Sequence, residues 1–297
     1  MTNERILFMK KEIDIIYEDS DIILCHKPAG MATQTKRLGQ QDMESFLKNY
    51  RAKKGESPYI GIVHRLDQPV EGIMVFAKNQ KAAASLSKQV QQRMLGKYYY
   101  AVSAYVPTQK QGALENYLVT DKKTNITTVI DEANLCPTEN SNLINYEVAY
   151  EGKQTNIKRK STSNIQKSNR KNFQKEAKYA KLEYEVLGEQ DGNTLFKIKL
   201  HTGRQHQIRV QMAHMGCSLI GDSKYGKIGT SDSKNFMEQS NVSVREHYSA
   251  FHAKEGLALC SYQLEFCHPI TGKEMQFSII PEGEIFQNFN ISQKYFS

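Results

Sequence analysis

Runs rich in β-branched and aromatic residues recur along the chain between turn signals, without a strict strand–helix rhythm, and this pattern constrains the fold most. IDIIYEDSDIILC (13–25) reads as two strands around Glu18-Asp19-Ser20-Asp21, closed by HKPAG. KYYYAVSAYV (97–106), NYEVAYEG (145–152), KYAKLEYEVLG (178–188) and TLFKIKLHTG (194–203) are β-prone, and ALCSYQLEFCHP (258–269) and MQFSIIP (275–281) form a further pair joined by ITGKE. YIGIVHRLD (59–67) and GIMVFAK (72–78) read as strands on either side of a turn with Pro69 and Gly72.

Three windows carry helical spacing instead. In QQDMESFLKNYRAKKG (40–55), Met43, Phe46, Leu47 and Tyr50 share a face and Gly55 suits the C-terminal cap. In NQKAAASLSKQVQQRMLG (79–96), Asn79 is placed to cap the start, Ala82, Leu86, Val90 and Met94 make one face, and Gly96 ends the helix. In RQHQIRVQMAHMG (204–216), Ile208, Met212 and Met215 recur at helical spacing. Several neighbouring strands read as antiparallel, so the expected fold is α+β: a mixed, largely antiparallel central sheet with flanking helices. No internal repeat is visible.

A chain of 297 residues buries enough surface to fold without disulfides or metal. Its five cysteines are odd in number, widely spaced and form no CxxC pair, which points to reduced thiols and a cytoplasmic protein. No apolar run approaches the length of a membrane helix, and the first nineteen residues lack the core and cleavage site of a secretory signal. No membrane partner is therefore expected.

The net charge of +8 invites a nucleic-acid partner. Lys153, Lys158, Arg159, Lys160, Lys167, Arg170, Lys171 and Lys175 fall together in 152–175, with no acid among them. Setting these eight aside leaves 32 of the 40 basic residues against 32 acidic ones, so the basicity reads as one local feature. The segment is almost free of apolar residues and is expected to be a flexible insertion between two strands. It reads either as a solvated loop or as a tether for phosphates.

Several chemistries are excluded or poorly supported. HRLD (64–67) lacks the Asp directly after Arg that a protein kinase needs, and no glycine-rich phosphate loop precedes it. His201, His206 and His214 are not spaced as ligands on one helix face, so no metal site is expected. No GxSxG elbow appears. A glycosidase wants a second carboxylate across a cleft, and the local companion of Asp67 is Glu71, whose position reads as solvent exposure.

Spaced features nonetheless make sense together. One carboxylate, Asp67, stands beside Arg65 at a turn. A tyrosine-rich strand follows, then the donor-dense stretch Gly203-Arg204-Gln205-His206-Gln207-Ile208-Arg209, then GDSKYG (221–226). Arginine, glutamine, histidine and tyrosine suit a site that stacks a splayed-out base and holds its phosphates. Taken singly, each feature also reads as structural.

In this order and spacing the chain resembles the RluA-type pseudouridine synthases, which isomerise uridine in structured RNA. The likeness runs from about Ile15 to Pro281 and is carried by YEDSDIILCHKPAGM, HRLDQPVEGIMVFAKN, GKYYYAV, KYAKLEYEVL, HTGRQHQIRVQMAHMGCSLIGDSKYG and ALCSYQLEFCHPITGKEMQF. It implies Asp67 as catalyst, Arg65 as the side chain that enters the RNA stack, Tyr99 as the residue packing on the flipped uracil, and Arg209 as the partner of the aspartate. Arg204, His206 and Gln207 join them as expected substrate-binding residues. The expected partner is ribosomal or transfer RNA, met by a monomer. The isomerisation has no net redox change, so no cofactor is expected.

The resemblance implies a single catalytic domain over 13–297 with a central cleft; the extension at 1–12 is too short for the S4 module that many members carry, so none is expected. Two departures stand out. Val70-Glu71-Gly72 replaces the family's Thr-Ser-Gly after HRLD, and 152–175 is longer than the usual connection. They leave a second reading open, a non-catalytic RNA-binding or chaperone homologue that keeps the cleft.

Overall fold

A computed structural model of the protein describes residues 13–37, 39–130, 145–151, 154–160, 176–226 and 256–291. The strands are β1 (Ile15–Glu18), β2 (Ile22–Lys27), β3 (Gly61–Ile62), β4 (Glu71–Ala77), β5 (Gly96–Ser103), β6 (Gln111–Asp121), β7 (Ile126–Ile130), β8 (Asn145–Glu151), β9 (Gln154–Lys160), β10 (Lys178–Gln190), β11 (Asn193–Leu200), β12 (Leu259–Cys267) and β13 (Glu274–Ser278). The longer helices are α1 (Met43–Lys53), α2 (Gln80–Gln91) and α3 (Gln207–His214), with a single turn, α4, at Glu284–Gln287.

Eleven strands form one sheet in the order β1-β2-β4-β12-β5-β11-β10-β6-β7, with β3 beside β4 and β13 beside β12. Every pairing in it is antiparallel except β12 with β4. The expected mixed α+β fold is what the chain adopts.

The central strands are buried on both faces, which is why β2 and β4 read as continuous apolar runs rather than alternating ones. Ile23, Cys25, Met74, Phe76, Tyr99 and Ala101 face α1 and α3, meeting Met43, Leu47, Ile208 and Met212. Their neighbours point the other way: Ile22, Leu24, Ile73 and Val75 pack on Ala82 and Leu86 of α2. Tyr100 and Val102 pack with Ile285 and Phe286 of α4.

Local chemistry sets the helix starts. Asp42 accepts the Ser45 N–H at 2.8 Å while Ser45 Oγ accepts the Asp42 N–H at 3.1 Å, a reciprocal capping box. Asn79 accepts the Ala82 N–H at 2.9 Å. The end of α2 departs from expectation. The helix stops at Gln91, Arg93 takes the left-handed conformation at φ 59°, and Met94 is 55% exposed. Gly96 instead opens β5.

Two other sequence readings change. Of YIGIVHRLD, Gly61–Ile62 alone is strand, because the backbone of 64–67 is tied to side chains and loops rather than to a neighbouring strand. Within 152–175, Gln154–Lys160 pairs with β8 as a hairpin rather than a loop. Residues 161–175 lie outside the described residues, as does the 1–12 extension.

Candidate functional site

Asp67 sits in a turn that other segments hold from below. The Thr33 hydroxyl accepts the Leu66 N–H at 3.3 Å and donates to the Leu66 carbonyl at 3.0 Å, fixing the peptide between Arg65 and Asp67. The Val70 N–H closes the turn on the Asp67 carbonyl at 3.0 Å, and the Gly30 N–H reaches the Gln68 carbonyl at 2.9 Å. HKPAG, read from the sequence as the end of a hairpin, is thus the platform of this turn.

Lys27 completes the platform. Its side chain is fully buried, and its ammonium donates to the carbonyls of Met31 (2.6 Å), Pro28 (3.0 Å) and Gln68 (3.1 Å). Burial pushes its pKa down to about 7, opposed by the nearby charges of Asp67 and Glu71. His64 works from the other side: Nε2 accepts the Val75 N–H of β4 at 3.2 Å. Burial, aided by the charge of Lys97, lowers the His64 pKa to about 3, so the ring is a neutral acceptor.

Beyond the turn, Gly72 lies at φ +141°, and a Cβ there would stand 2.5 Å from the Ser261 carbonyl. The close β4–β12 crossing needs glycine at this position. Glu71 is buried rather than solvent-exposed, which corrects the sequence reading. Its carboxylate turns to the far side of the sheet and accepts the N–H groups of Gly283 (3.1 Å) and Glu282 (3.2 Å), with His26 Nε2 at 3.7 Å.

Across from Asp67, α3 brings Arg209, whose Nη1 lies 3.3 Å from Asp67 Oδ2. Asp222 holds the same guanidinium through Nε and Nη2, both at 2.7 Å. Asp222 is fully enclosed and also accepts the N–H groups of Lys224 and Tyr225, so the GDSKYG loop is built around it. His206 adopts the left-handed conformation at φ 53°, which aims Nε2 at Asp67 Oδ2 (3.8 Å) while Nδ1 meets the Tyr225 hydroxyl at 2.8 Å. Burial lowers the His206 pKa, against the opposing pull of Asp67.

The remaining expected residues divide. Tyr99 is 5% exposed in the cleft wall, and burial raises its phenol pKa. Pleating sends Tyr98 and Tyr100 to the opposite face, where Tyr100 stacks on Tyr262 with ring centres 3.8 Å apart. Of the tyrosine run, one residue serves the cleft. Arg65 is exposed and has no ion pair among the described residues. Arg204 is anchored through Nε to the Tyr179 carbonyl at 2.9 Å.

Gln207 is spent inside the protein. It accepts from Thr202 Oγ1 and the Arg204 N–H, and donates to the Lys181 carbonyl and Gln211. It therefore positions the 202–204 turn.

These groups line a cleft of about 1280 Å³ in which Asp67 is the one carboxylate-bearing wall residue among the described residues. Arg37, Arg65, Arg93, Lys97, Arg204 and Lys224 share its walls with Arg209. The basicity is thus not confined to 152–175, because a formally neutral remainder hides a strongly positive cleft. Asp222, Lys27 and His64 went unassigned in the sequence. The GDSKYG, HKPAG and HRLD motifs marked their neighbourhoods without giving their roles.

No helix among the described residues is long and apolar enough to cross a membrane. The fold is similar to that of two solved human structures. Human RNA Pseudouridylate Synthase Domain Containing 4 is 19% identical with a TM-score of 0.61, over 93% of this chain and 90% of that one. Human RNA Pseudouridylate Synthase Domain Containing 1 is 17% identical with a TM-score of 0.58, over 91% and 84%. At these identities the likeness speaks for the fold.

Sequence relatives go further. An uncharacterised RNA pseudouridine synthase of Aquifex aeolicus is 31% identical over 286 residues, covering 93% of this chain and 71% of the relative. A ribosomal large subunit pseudouridine synthase D of Vibrio cholerae is 29% identical over 268 residues, covering 89% and 66%. The chain spans about two thirds of the length of such relatives. The pattern of the family described as RNA pseudouridylate synthase matches residues 21–214, which contain the Asp67 turn, Tyr99 and α3. The chain belongs to the RNA pseudouridylate synthase family.

Proposed function

We propose that the protein isomerises specific uridines in structured RNA, ribosomal or transfer, to pseudouridine, with Asp67 acting on a flipped-out base. The observation that carries this reading is a carboxylate, single among the described walls of a basic cleft, 30% exposed and ion-paired to a buried arginine. The reaction breaks the C1′–N1 bond, turns the uracil and joins C1′ to C5. One carboxylate serves by attacking C1′ or C6 of the nucleotide or by removing a sugar proton.

Flipping a uridine costs a few kcal/mol, which an arginine entering the vacated stack and a tyrosine under the base offset. Arg65 and Tyr99 have the exposure and the burial these two roles require. Arg204 and Arg209 then supply positive charge to the nucleotide, and residues 13–297 act as one catalytic domain, monomeric and cytoplasmic.

Release of tritium from 5-tritiated uridine in RNA tests the assignment. The parent protein releases it and Asp67→Asn does not; equal rates would remove Asp67 from the mechanism. The second reading, a non-catalytic RNA-binding homologue, draws on Val70-Glu71. The Glu71 carboxylate faces 282–283, away from Asp67, which favours turnover. Pseudouridine at a defined site in an unmodified transcript is incompatible with the second reading.

A further inference from the structure

Lys97 lies in the cleft wall and Lys27 beneath the Asp67 turn, and the two differ in one respect. The Lys27 ammonium is saturated by three carbonyls. The Lys97 ammonium has no hydrogen bond or ion pair among the described residues, although the residue is half-buried and burial lowers its pKa. An ammonium taken from water without acceptor or counter-charge is unfavourable. Arg65, equally unpaired, stays in water and incurs little of this.

The position of Lys97 is defined by β5. Lys97 and Tyr99 are two residues apart on one face of the strand, about 7 Å along it, and both line the cleft. A Cβ on Gly203 would stand 3.2 Å from Lys97 Nζ, so the ammonium rests against the glycine of the 201–204 turn. Three N–H donors are thereby left at the cleft wall one step from the tyrosine expected under the base.

We infer that Lys97 is a catalytic residue that meets a carbonyl oxygen of the flipped uracil and stabilises the negative charge of the detached ring. The inference rests on the isomerase reading above. When C1′–N1 breaks, the bonding pair passes to the ring and spreads over N1 and the carbonyl oxygens. When C1′–C5 forms, that pair is consumed, the C5 proton passes to solvent water and N1 takes up a proton from solvent. Lys97 keeps its own protons throughout, and no oxidant or reductant enters. A fixed cation where charge develops is the arrangement expected of transition-state stabilisation in a partly dry site.

Lys97→Met and Lys97→Arg test it, by single-turnover tritium release at saturating RNA, RNA affinity across salt concentrations, and thermal unfolding. Lys97→Met is expected to slow single turnover on the order of 100-fold. RNA affinity should stay unchanged and the unfolding midpoint should be equal or higher, since an unpaired ammonium has been removed. Lys97→Arg is expected to recover part of the rate. A Met variant turning over at the parent's rate overturns the inference. So does a smaller salt slope, by roughly 0.7–0.9, with the saturated rate intact, which assigns Lys97 to a phosphate. So does a lower midpoint with no recovery in the Arg variant, which makes the residue structural. A parent protein that releases no tritium overturns the isomerase reading and this inference with it, whereas the other outcomes require an active parent and strike Lys97 alone.

Discussion

Asp222 grips the Arg209 guanidinium at two nitrogens, leaving Nη1 to point at Asp67 from 3.3 Å. Arg209 is 4% exposed and Asp222 wholly enclosed, so the direction of the arginine is set by a carboxylate the substrate does not meet. The expected consequence of Asp222→Ala is a double loss. Breaking a buried ion pair from one side costs about 3–5 kcal/mol, here moderated by the remaining contact with Asp67. Urea unfolding reads that term. Single-turnover rate at saturating RNA should fall at least tenfold, because the cation no longer orients the Asp67 carboxylate. An unchanged rate in a destabilised variant would confine Asp222 to folding.

Glu71 makes the opposite prediction. Its carboxylate accepts two backbone N–H groups at the entry to α4, on the side of the sheet away from the cleft. Glu71→Ala leaves those donors unmet and should destabilise the protein by about 1–3 kcal/mol. Glu71→Gln, which keeps one acceptor oxygen, should lose less. Hydrogen exchange should rise at 282–287 in both, while turnover by the folded protein stays close to the parent value. A large rate loss without loss of stability would show that this departure from the family acts on Asp67 after all.

His64 sets an acid limit. Its pKa is held near 3, below the ordinary 6.5, by the desolvation of the ring and the nearby charge of Lys97, and the ring accepts the Val75 N–H. The unfolded chain therefore binds the extra proton first as pH falls. The stability due to neutral His64 is intact above about pH 6.5 and drains away between there and pH 3. His64→Asn, which can offer an oxygen to the same N–H without titrating, should flatten the decline of unfolding free energy over that window. Equal slopes in the two proteins would mean that other groups govern it.

How much of this was legible in the sequence follows from what each signal depends on. Most of the strands, the capping residue Asn79 and the α+β class rest on local chemistry and were readable, whereas β6, β7, β9 and the Asp42 cap were not. Asp67, Arg65, Tyr99 and Arg209 came from motif order, and the fold brings all four to one cleft. Asp222 and Lys27 were not readable as contributors, because their roles exist only where segments 13 and 41 residues apart meet. Glu71 looked exposed because its partners lie more than 200 residues away. The end of α2 was misplaced by following Gly96, when Arg93 itself takes the left-handed turn.

Arg37 and Arg93 stand on the walls of the cleft, Arg93 at the end of α2 and Arg37 in the loop before α1, both exposed. Neither is ion-paired among the described residues, and neither approaches Asp67 within salt-bridge distance. If the cleft tracks an RNA backbone, their work is counter-ion release, which is independent of the chemical step. Arg37→Gln and Arg93→Gln should each weaken RNA binding and reduce the slope of log affinity against log salt by roughly 0.7–0.9, with the double variant close to additive. Tritium release at saturating RNA should match the parent in all three. That separates them from Asp67, where binding persists and turnover vanishes. An unaltered salt slope in the double variant would place the phosphate path elsewhere, with the basic hairpin of β8 and β9 as the next surface to neutralise.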